Sequence, residues 1–310
     1  MLRSTLLALA GLLTRRAPVF LLAGVCSIAT AQSTPACFEV SSPTGKVYVL
    51  GSIHMGRKDF YPLPPAVEEA WKTSKSLAVE ADISDPSAMM ALAPLMVCAP
   101  PDSLDQQLSA EGWKKVEAHF KNPKIAEGLQ KIGLPEATLK MFRPWALAMT
   151  LTMLPVLQGG FDLSSGIDLH FLQRAKGEKR AILQLESADF QAKLLSGLSK
   201  ATQEAFLLET LEGLDSGKAS QELTKLVEVW AKGDLKQIHR LSQEASTNPE
   251  MKVWMRSLLE ARHPGMVEKI AGYLASPDPT FVVVGAAHLA GPEGVIELLK
   301  KRGFDVKRLS

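Results

Sequence analysis

Two short apolar runs at opposite ends of the chain finish in the same way: Val47-Tyr-Val-Leu-Gly51-Ser-Ile-His54 and Val282-Val-Val-Gly285-Ala-Ala-His288. Each reads as a strand, then a glycine, then a histidine three positions on. Glycine lets the backbone turn at the strand end without a Cβ clash. Runs this rich in valine suit strands covered on both faces, the setting of a parallel or mixed sheet under helices. In such sheets ligand crevices open at the strand C-termini. The two imidazoles therefore meet only if the long intervening chain folds back and lays these strands side by side.

The remaining pattern fits that demand. Strands are expected at 46–50, 76–79, 180–185 and 280–284, with a short closing strand at 305–309. The runs at 180–185 and 280–284 read as buried on both faces. Helical spacing fills 64–75, 104–121, 135–157 and much of 187–274, with breaks at Pro144, Pro155 and Pro264. The alternation predicts an α/β fold: a mixed or parallel central sheet covered by helices, with helical insertions at roughly 85–165 and 187–275. At 46% hydrophobic and 22% charged residues, the chain can bury a sizeable core, which excludes a disordered or collagen-like protein.

The first residues read differently. Arg3, Arg15 and Arg16 precede an apolar run at 19–28, then Ala29-Thr30-Ala31. A basic start, a short apolar stretch and small residues form the pattern of a signal peptide over 1–31, cleaved after Ala31. Export, with the periplasm as destination, is the expectation, and membrane association is expected only through an uncleaved N-terminus. Loss of those three arginines from 35 basic residues leaves 32 against 33 acidic, a net charge of −1. Without a basic stripe, nucleic acid is not an expected partner. Of three cysteines, Cys26 falls in the signal. Cys37 and Cys98 are expected to pair in an oxidising compartment, a bridge worth about 3–4 kcal/mol.

The strands at 76–79 and 180–185 lead to Glu80 and Glu186. As parallel neighbours of the histidine-bearing strands, they would bring two carboxylates and two imidazoles to one sheet edge. Mixed nitrogen and oxygen donors favour Mn, Fe, Co or Zn over Ca or Mg. A divalent ion there can acidify a bound water, and a glutamate off the ion can take its proton. The pattern leaves open which glutamate does which. Arg262 offers its planar fork to an oxyanion or substrate carboxylate, or to an acidic neighbour. Asp168 reads first as a helix cap and second as a functional acid, and His170 as a secondary ligand candidate. The motifs of zincins, serine hydrolases, P-loops and dinucleotide folds are absent.

At these residues the chain resembles the TraB/GumN family, which is similar to the Tiki metalloproteases. The matching pieces are Tyr48-Val-Leu-Gly-Ser-Ile-His54-Met-Gly, Val79-Glu80, Gly166-Ile-Asp168, Leu185-Glu186-Ser, Trp230-Ala-Lys-Gly-Asp234, Leu258-Leu-Glu-Ala-Arg262 and Phe281-Val-Val-Val-Gly285-Ala-Ala-His288. They run through nearly the whole chain after the signal. The resemblance implies a metal-dependent hydrolase using manganese or cobalt, with peptides as the substrate class. It makes His54 and His288 the metal-associated histidines, and Glu80 and Glu186 their acidic partners. Where the family has Arg-Asn, this chain has Arg262-His263. The alternative is a non-catalytic binding protein for a peptide or small ligand, which would saturate without turnover.

Overall fold

The computed structural model describes residues 33–131, 134–246 and 248–310. The expected signal peptide at 1–31 lies outside the described residues. Among them, no helix is long and apolar enough to cross a membrane.

Six strands form one mixed sheet: β1 (Cys37–Ser41), β2 (Lys46–Ser52), β3 (Ser76–Val79), β4 (Ala181–Gln184), β5 (Thr280–Gly285) and β6 (Asp305–Arg308). Their order across the sheet is β4-β3-β5-β2-β1-β6. The fold is α/β. The four strands β4, β3, β5 and β2 run parallel, whereas β1 is antiparallel to both β2 and β6. The two histidine-bearing strands are direct neighbours, with Gly51 opposite Val284 and Ser52 opposite Gly285. Val79 of β3 lies opposite Val283 on the far side of β5. The C-terminal ends of β3, β5 and β2 are therefore level, and the residues just beyond them share one edge.

Alternation along the strands explains the Val-rich runs. Phe281 and Val283 pack on one face with Trp71, Phe171 and Trp230, carried by helices Pro65–Thr73, Ile167–Gly177 and Lys218–Ala231. Val282 and Val284 pack on the other face against helices His263–Tyr273 and Val295–Lys301. On the first face the rings of Trp71, Phe171 and Phe281 stand 4.7–5.5 Å apart. Each such pair contributes about 0.5–1.5 kcal/mol beyond its buried area. A third cluster, built around Leu104, Phe120, Leu147, Leu151, Leu207 and Leu211, lies within the helical segments.

Several expectations are corrected. β4 is an edge strand, half exposed because β3 is its one strand neighbour, so only the run in β5 is buried throughout. β1 goes unannounced by the pattern, since Cys-Phe-Glu-Val-Ser is too short and mixed to stand apart, yet it pairs on both sides. No disulfide forms, and Cys37 and Cys98 are both buried free thiols. Cys37 belongs to the sheet core, where burial pushes its thiol up to about 12. Cys98 instead donates its Sγ–H to the Phe142 carbonyl at 3.4 Å, beside helix Pro144–Leu151.

The two motif glycines are explained by room. Neither sits in the left-handed region. A Cβ on Gly51 would stand 3.2 Å from Ala286 Cβ and Leu289 Cδ1, and one on Gly285 would stand 3.1 Å from Glu80 Oε1. Gly51 makes way for the helix that carries the second motif's histidine, and Gly285 for the carboxylate beside it.

Candidate functional site

The chain directly after β5 turns into the short helix Ala286–Leu289, which carries His288 into the interior. Its ring Nδ1 lies 3.0 Å from His263 Nε2, and His263 Nδ1 lies 2.6 Å from the Glu293 carbonyl oxygen. A carbonyl only accepts, so His263 Nδ1 carries a hydrogen. Burial first, and then the neighbouring His288 ring, push His263 down to about 4, which leaves it neutral with Nε2 as an acceptor. His288 Nδ1–H therefore donates, and its Nε2 faces Glu80 Oε2 at 3.6 Å, beyond hydrogen-bond distance.

His54 lies beyond β2 in an exposed loop. Its Nδ1–H donates to Asp168 Oδ2 at 2.9 Å, and the Ser52 hydroxyl donates to Asp168 Oδ1 at 2.8 Å. Asp168 is buried in the first turn of helix Ile167–Gly177, where the helix dipole favours an anion. Gly166 holds the N-cap position, so Asp168 is a histidine partner and not the expected cap. The helix start is tied to the loop by the Ile167 N–H on the Ile53 carbonyl, at 3.0 Å. The charge of Asp168 pushes His54 up to about 9, against the opposing pull of desolvation.

Between the histidines lies a charged knot. Glu80 stands just past β3 and Glu186 just past β4, joined by the Glu186 N–H on the Glu80 carbonyl at 2.7 Å. Arg262 bridges them: Nη2 reaches Glu80 Oε2 and Glu186 Oε2, each at 2.5 Å, and Nε reaches both Glu186 oxygens at 2.9 and 3.0 Å. The Gly285 N–H donates to Glu80 Oε1 at 2.7 Å, and the Gln191 amide reaches Glu186 Oε2 at 3.0 Å. Burial pushes the Glu80 carboxyl up, but His288, Arg262 and His54 outweigh it and hold the group well below the usual carboxylate range. Pro264 lies in the first turn of helix His263–Tyr273, and Arg262 stands at the break between it and helix Pro249–Glu260.

The structure thus brings together His54, His288, Glu80, Glu186 and Arg262, all read from strand ends or from the element before Pro264. His54, Glu80, Gln191 and Arg262 line one end of a groove of about 800 Å³. Cys37 and Cys98 lie elsewhere, in the sheet core and among the helices. His170 also stands apart, stacked on Tyr61 at 4.2 Å between ring centroids. Sequence reasoning missed Ser52 and Gln191 altogether and left His263 as a substitute amide. Ser and Gln carry no signal of their own, whereas His263 could have been found from its place beside Arg262. The Trp-x-x-Gly-Asp element anchors the first motif, since the Trp230 indole N–H holds the Gly51 carbonyl at 3.0 Å.

Both strand-end imidazoles are thus held with Nδ1–H turned to a protein partner, which leaves Nε2 as the outward nitrogen. That is the arrangement metal-ligating histidines adopt. Glu80 adds an anionic carboxylate that shares Oε2 with Arg262 and accepts from the Gly285 N–H at Oε1, whereas both Glu186 oxygens are bonded by Arg262. Among the described residues, no three His, Cys, Asp or Glu side chains converge into a ready-made cage. The donor chemistry at His54, His288 and Glu80 fits a divalent ion, while Glu186 fits the role of an arginine partner.

An uncharacterised Escherichia coli protein, YbaP, is 29% identical over 148 residues, covering 48% of this chain and 51% of its own, so the chain spans about half the length of that relative. An uncharacterised Treponema pallidum protein is 22% identical over 86% of this chain and 80% of its own length. A Xenopus tropicalis protein named metalloprotease TIKI1 is 25% identical over 84% of this chain and 58% of its own. No solved structure gives a significant match. The family model for TraB/PrgY/gumN matches residues 36–308, which takes in every strand and both Gly-x-x-His motifs, and the chain belongs to that family.

Proposed function

We propose that this chain is a metal-dependent hydrolase that cleaves peptides outside the cytoplasm, after removal of residues 1–31. One observation carries the reading: two imidazoles from duplicate motifs stand at the same sheet edge as Glu80, each with Nδ1–H on a protein partner, and His54 and Glu80 open onto a large groove. The similarity to a protein named as a metalloprotease supports the reaction class. His54, His288 and Glu80 would hold the ion; manganese and cobalt are favoured, with zinc and iron as alternatives.

When bound, such an ion supplies Lewis acidity toward a carbonyl oxygen and toward water. The chain's own groups do the rest. Asp168 and His263 fix the orientation of the two rings, each by accepting from an Nδ1–H. Glu80 stays anionic across the physiological range, which suits a ligand oxygen better than a proton acceptor. Arg262 spends Nε and Nη2 on the two glutamates and places Nη1 3.4 Å from the Leu258 carbonyl. The second Nη1 hydrogen is left to bind a substrate carbonyl or a developing oxyanion.

The test is metal content and turnover measured together. Protein purified without chelator is expected to hold about one equivalent of a transition metal, and a His54→Ala/His288→Ala variant none. The reconstituted protein should cleave peptides in a mixed library, with both single histidine variants folded but inactive. Normal turnover by either single variant sinks the proposal. Saturation at one peptide per chain without cleavage, under every ion tried, assigns the site to a binding protein instead.

A further inference from the structure

Gln191 stands half-buried at the polar end of the groove. It is carried by helix Ala188–Ser196, which starts directly after Glu186 with Ser187 as its cap: the Ser187 hydroxyl accepts from the Phe190 N–H at 3.1 Å. Gln191, Leu194 and Leu195 follow at helical spacing and all line the groove, so one face of this helix forms part of its wall. The Gln191 amide lies 3.0 Å from Glu186 Oε2 and 3.4 Å from Glu80 Oε2. Carboxylates only accept, so the nitrogen of the amide faces them and its oxygen is turned away from the charged knot.

That oxygen is unspent. Among the described residues no N–H or O–H donates to Gln191 Oε1, yet it is not one of the polar atoms sealed from solvent. A donor arriving in the groove can therefore reach it. Arg262 offers the opposite character, since its Nη1 keeps a hydrogen for an arriving carbonyl. Both residues hang on the same atom: Gln191 Nε2 lies 3.0 Å from Glu186 Oε2, and Arg262 Nη2 lies 2.5 Å from it. The amide oxygen and Nη1 each stand one covalent step further out, so about three residues of an extended chain span the gap between them. A peptide backbone supplies the matching groups, a carbonyl and an N–H at every residue.

We infer that Gln191 anchors the substrate backbone: its Oε1 accepts from a peptide N–H within three residues of the scissile bond, while its Nε2, held on Glu186 and Glu80, keeps the amide from turning over. This rests on the hydrolase reading for its register, and goes beyond it by assigning a substrate contact to a residue outside the proposed metal ligands and Arg262. A reversed amide would point its oxygen at two carboxylates, so the groove is presented with an acceptor and selects an N–H at that point. A residue that merely steadied the two glutamates would affect every peptide alike. An anchor is blind to a peptide that lacks the one N–H it holds.

That difference is the test. The parent is the ten-residue peptide that binds most tightly from a mixed library, and each of its N–H groups is replaced in turn by an ester oxygen, which removes the donor and keeps the shape. Affinities for chelator-treated protein are read by fluorescence anisotropy of labelled peptides. Cleavage of the parent by protein reconstituted with manganese is mapped by mass spectrometry. One ester is expected to bind the wild type about threefold to tenfold more weakly than the parent. Gln191→Met, which keeps the length of the side chain and removes both halves of the amide, should bind the parent more weakly by a similar factor and that ester no worse than the parent. Gln191→Asn draws the oxygen back by one methylene, should show the same coupling, and serves if the methionine variant does not fold. A wild type that tolerates an ester at every position overturns the inference. So does a variant that weakens the parent and all its esters equally, or weakens none of them. Coupling at one N–H without any cleavage refutes the hydrolase and leaves the anchor standing. Cleavage without coupling does the reverse, and a library with no binder sinks both.

Discussion

His54 and His288 end two copies of one motif on two adjacent parallel strands, yet their surroundings differ in almost every physical respect. The His54 side chain is 61% exposed, with a carboxylate as partner; that of His288 is 4% exposed, with a second histidine as partner. The difference arises in the chain just past each glycine. After β2 the chain leaves the sheet for an outer loop, while after β5 it enters a short helix whose His288 meets His263. A shared motif fixes where a side chain starts, and the packing of other elements fixes how it titrates. One histidine belongs to the rim of the site and the other to its foundation.

The sharpest way to test that division is to remove the cation that holds the foundation together. Arg262, Glu80 and Glu186 keep only 12%, 10% and 6% of their side-chain surface exposed. Replacing Arg262 with methionine strands two buried carboxylates, which typically costs about 3–5 kcal/mol. Urea denaturation should show that loss, and adding Glu80→Gln and Glu186→Gln to the same chain should return part of it. A loss under about 1 kcal/mol would mean that the knot is well hydrated, and the distinction between foundation and rim would fail.

The next test compares the histidines directly. His288→Ala opens space in the core and leaves His263 Nε2 without its donor, so a cost of about 1–3 kcal/mol is expected. His54→Ala removes a ring that water already reaches, and its cost should stay within about 1 kcal/mol. Both variants should nevertheless lose hydrolysis, because the proposed site needs both Nε2 atoms. Equal stability losses would show that the motif copies are equivalent after all.

These contrasts mark how far the sequence could be read. The strand ends, and with them His54, Glu80, Glu186 and His288, were visible because period, glycine and strand length are local properties. Arg262 was visible because a proline break stands beside it. The α/β class came from alternation. What the pattern did not reveal depends on which element packs on which. Asp168 looks locally like a cap, and only the approach of β2 turns it toward Ser52 and His54. The same holds for the Cys37 and Cys98 pair, where a plausible count gave no distance. It holds too for β4, whose apolar run is no guide to an edge position.

The smallest effect expected is the alkaline limb of the pH dependence, and the two limbs separate the two sides by sign. His263 is held at about 4 against an ordinary 6.5, so the unfolded chain takes its proton first and stability falls as the pH drops from 6.5 toward 4. His54, raised to about 9 beside Asp168, behaves in the opposite way. Its ion pair contributes fully below pH 6.5, and that contribution disappears as the pH rises through 9. Because the His54 ring is largely exposed, screening should limit the alkaline loss to under about 1 kcal/mol. Chelator-treated protein, unfolded in urea at about pH 5, 7 and 9, gives both slopes. His263→Asn should flatten only the acid limb, and Asp168→Asn only the alkaline one, bringing the His54 ring signals in an NMR titration back toward 6.5. An alkaline limb that survives Asp168→Asn would place its origin outside the rim, and the pairing of His54 with Asp168 would lose its energetic meaning.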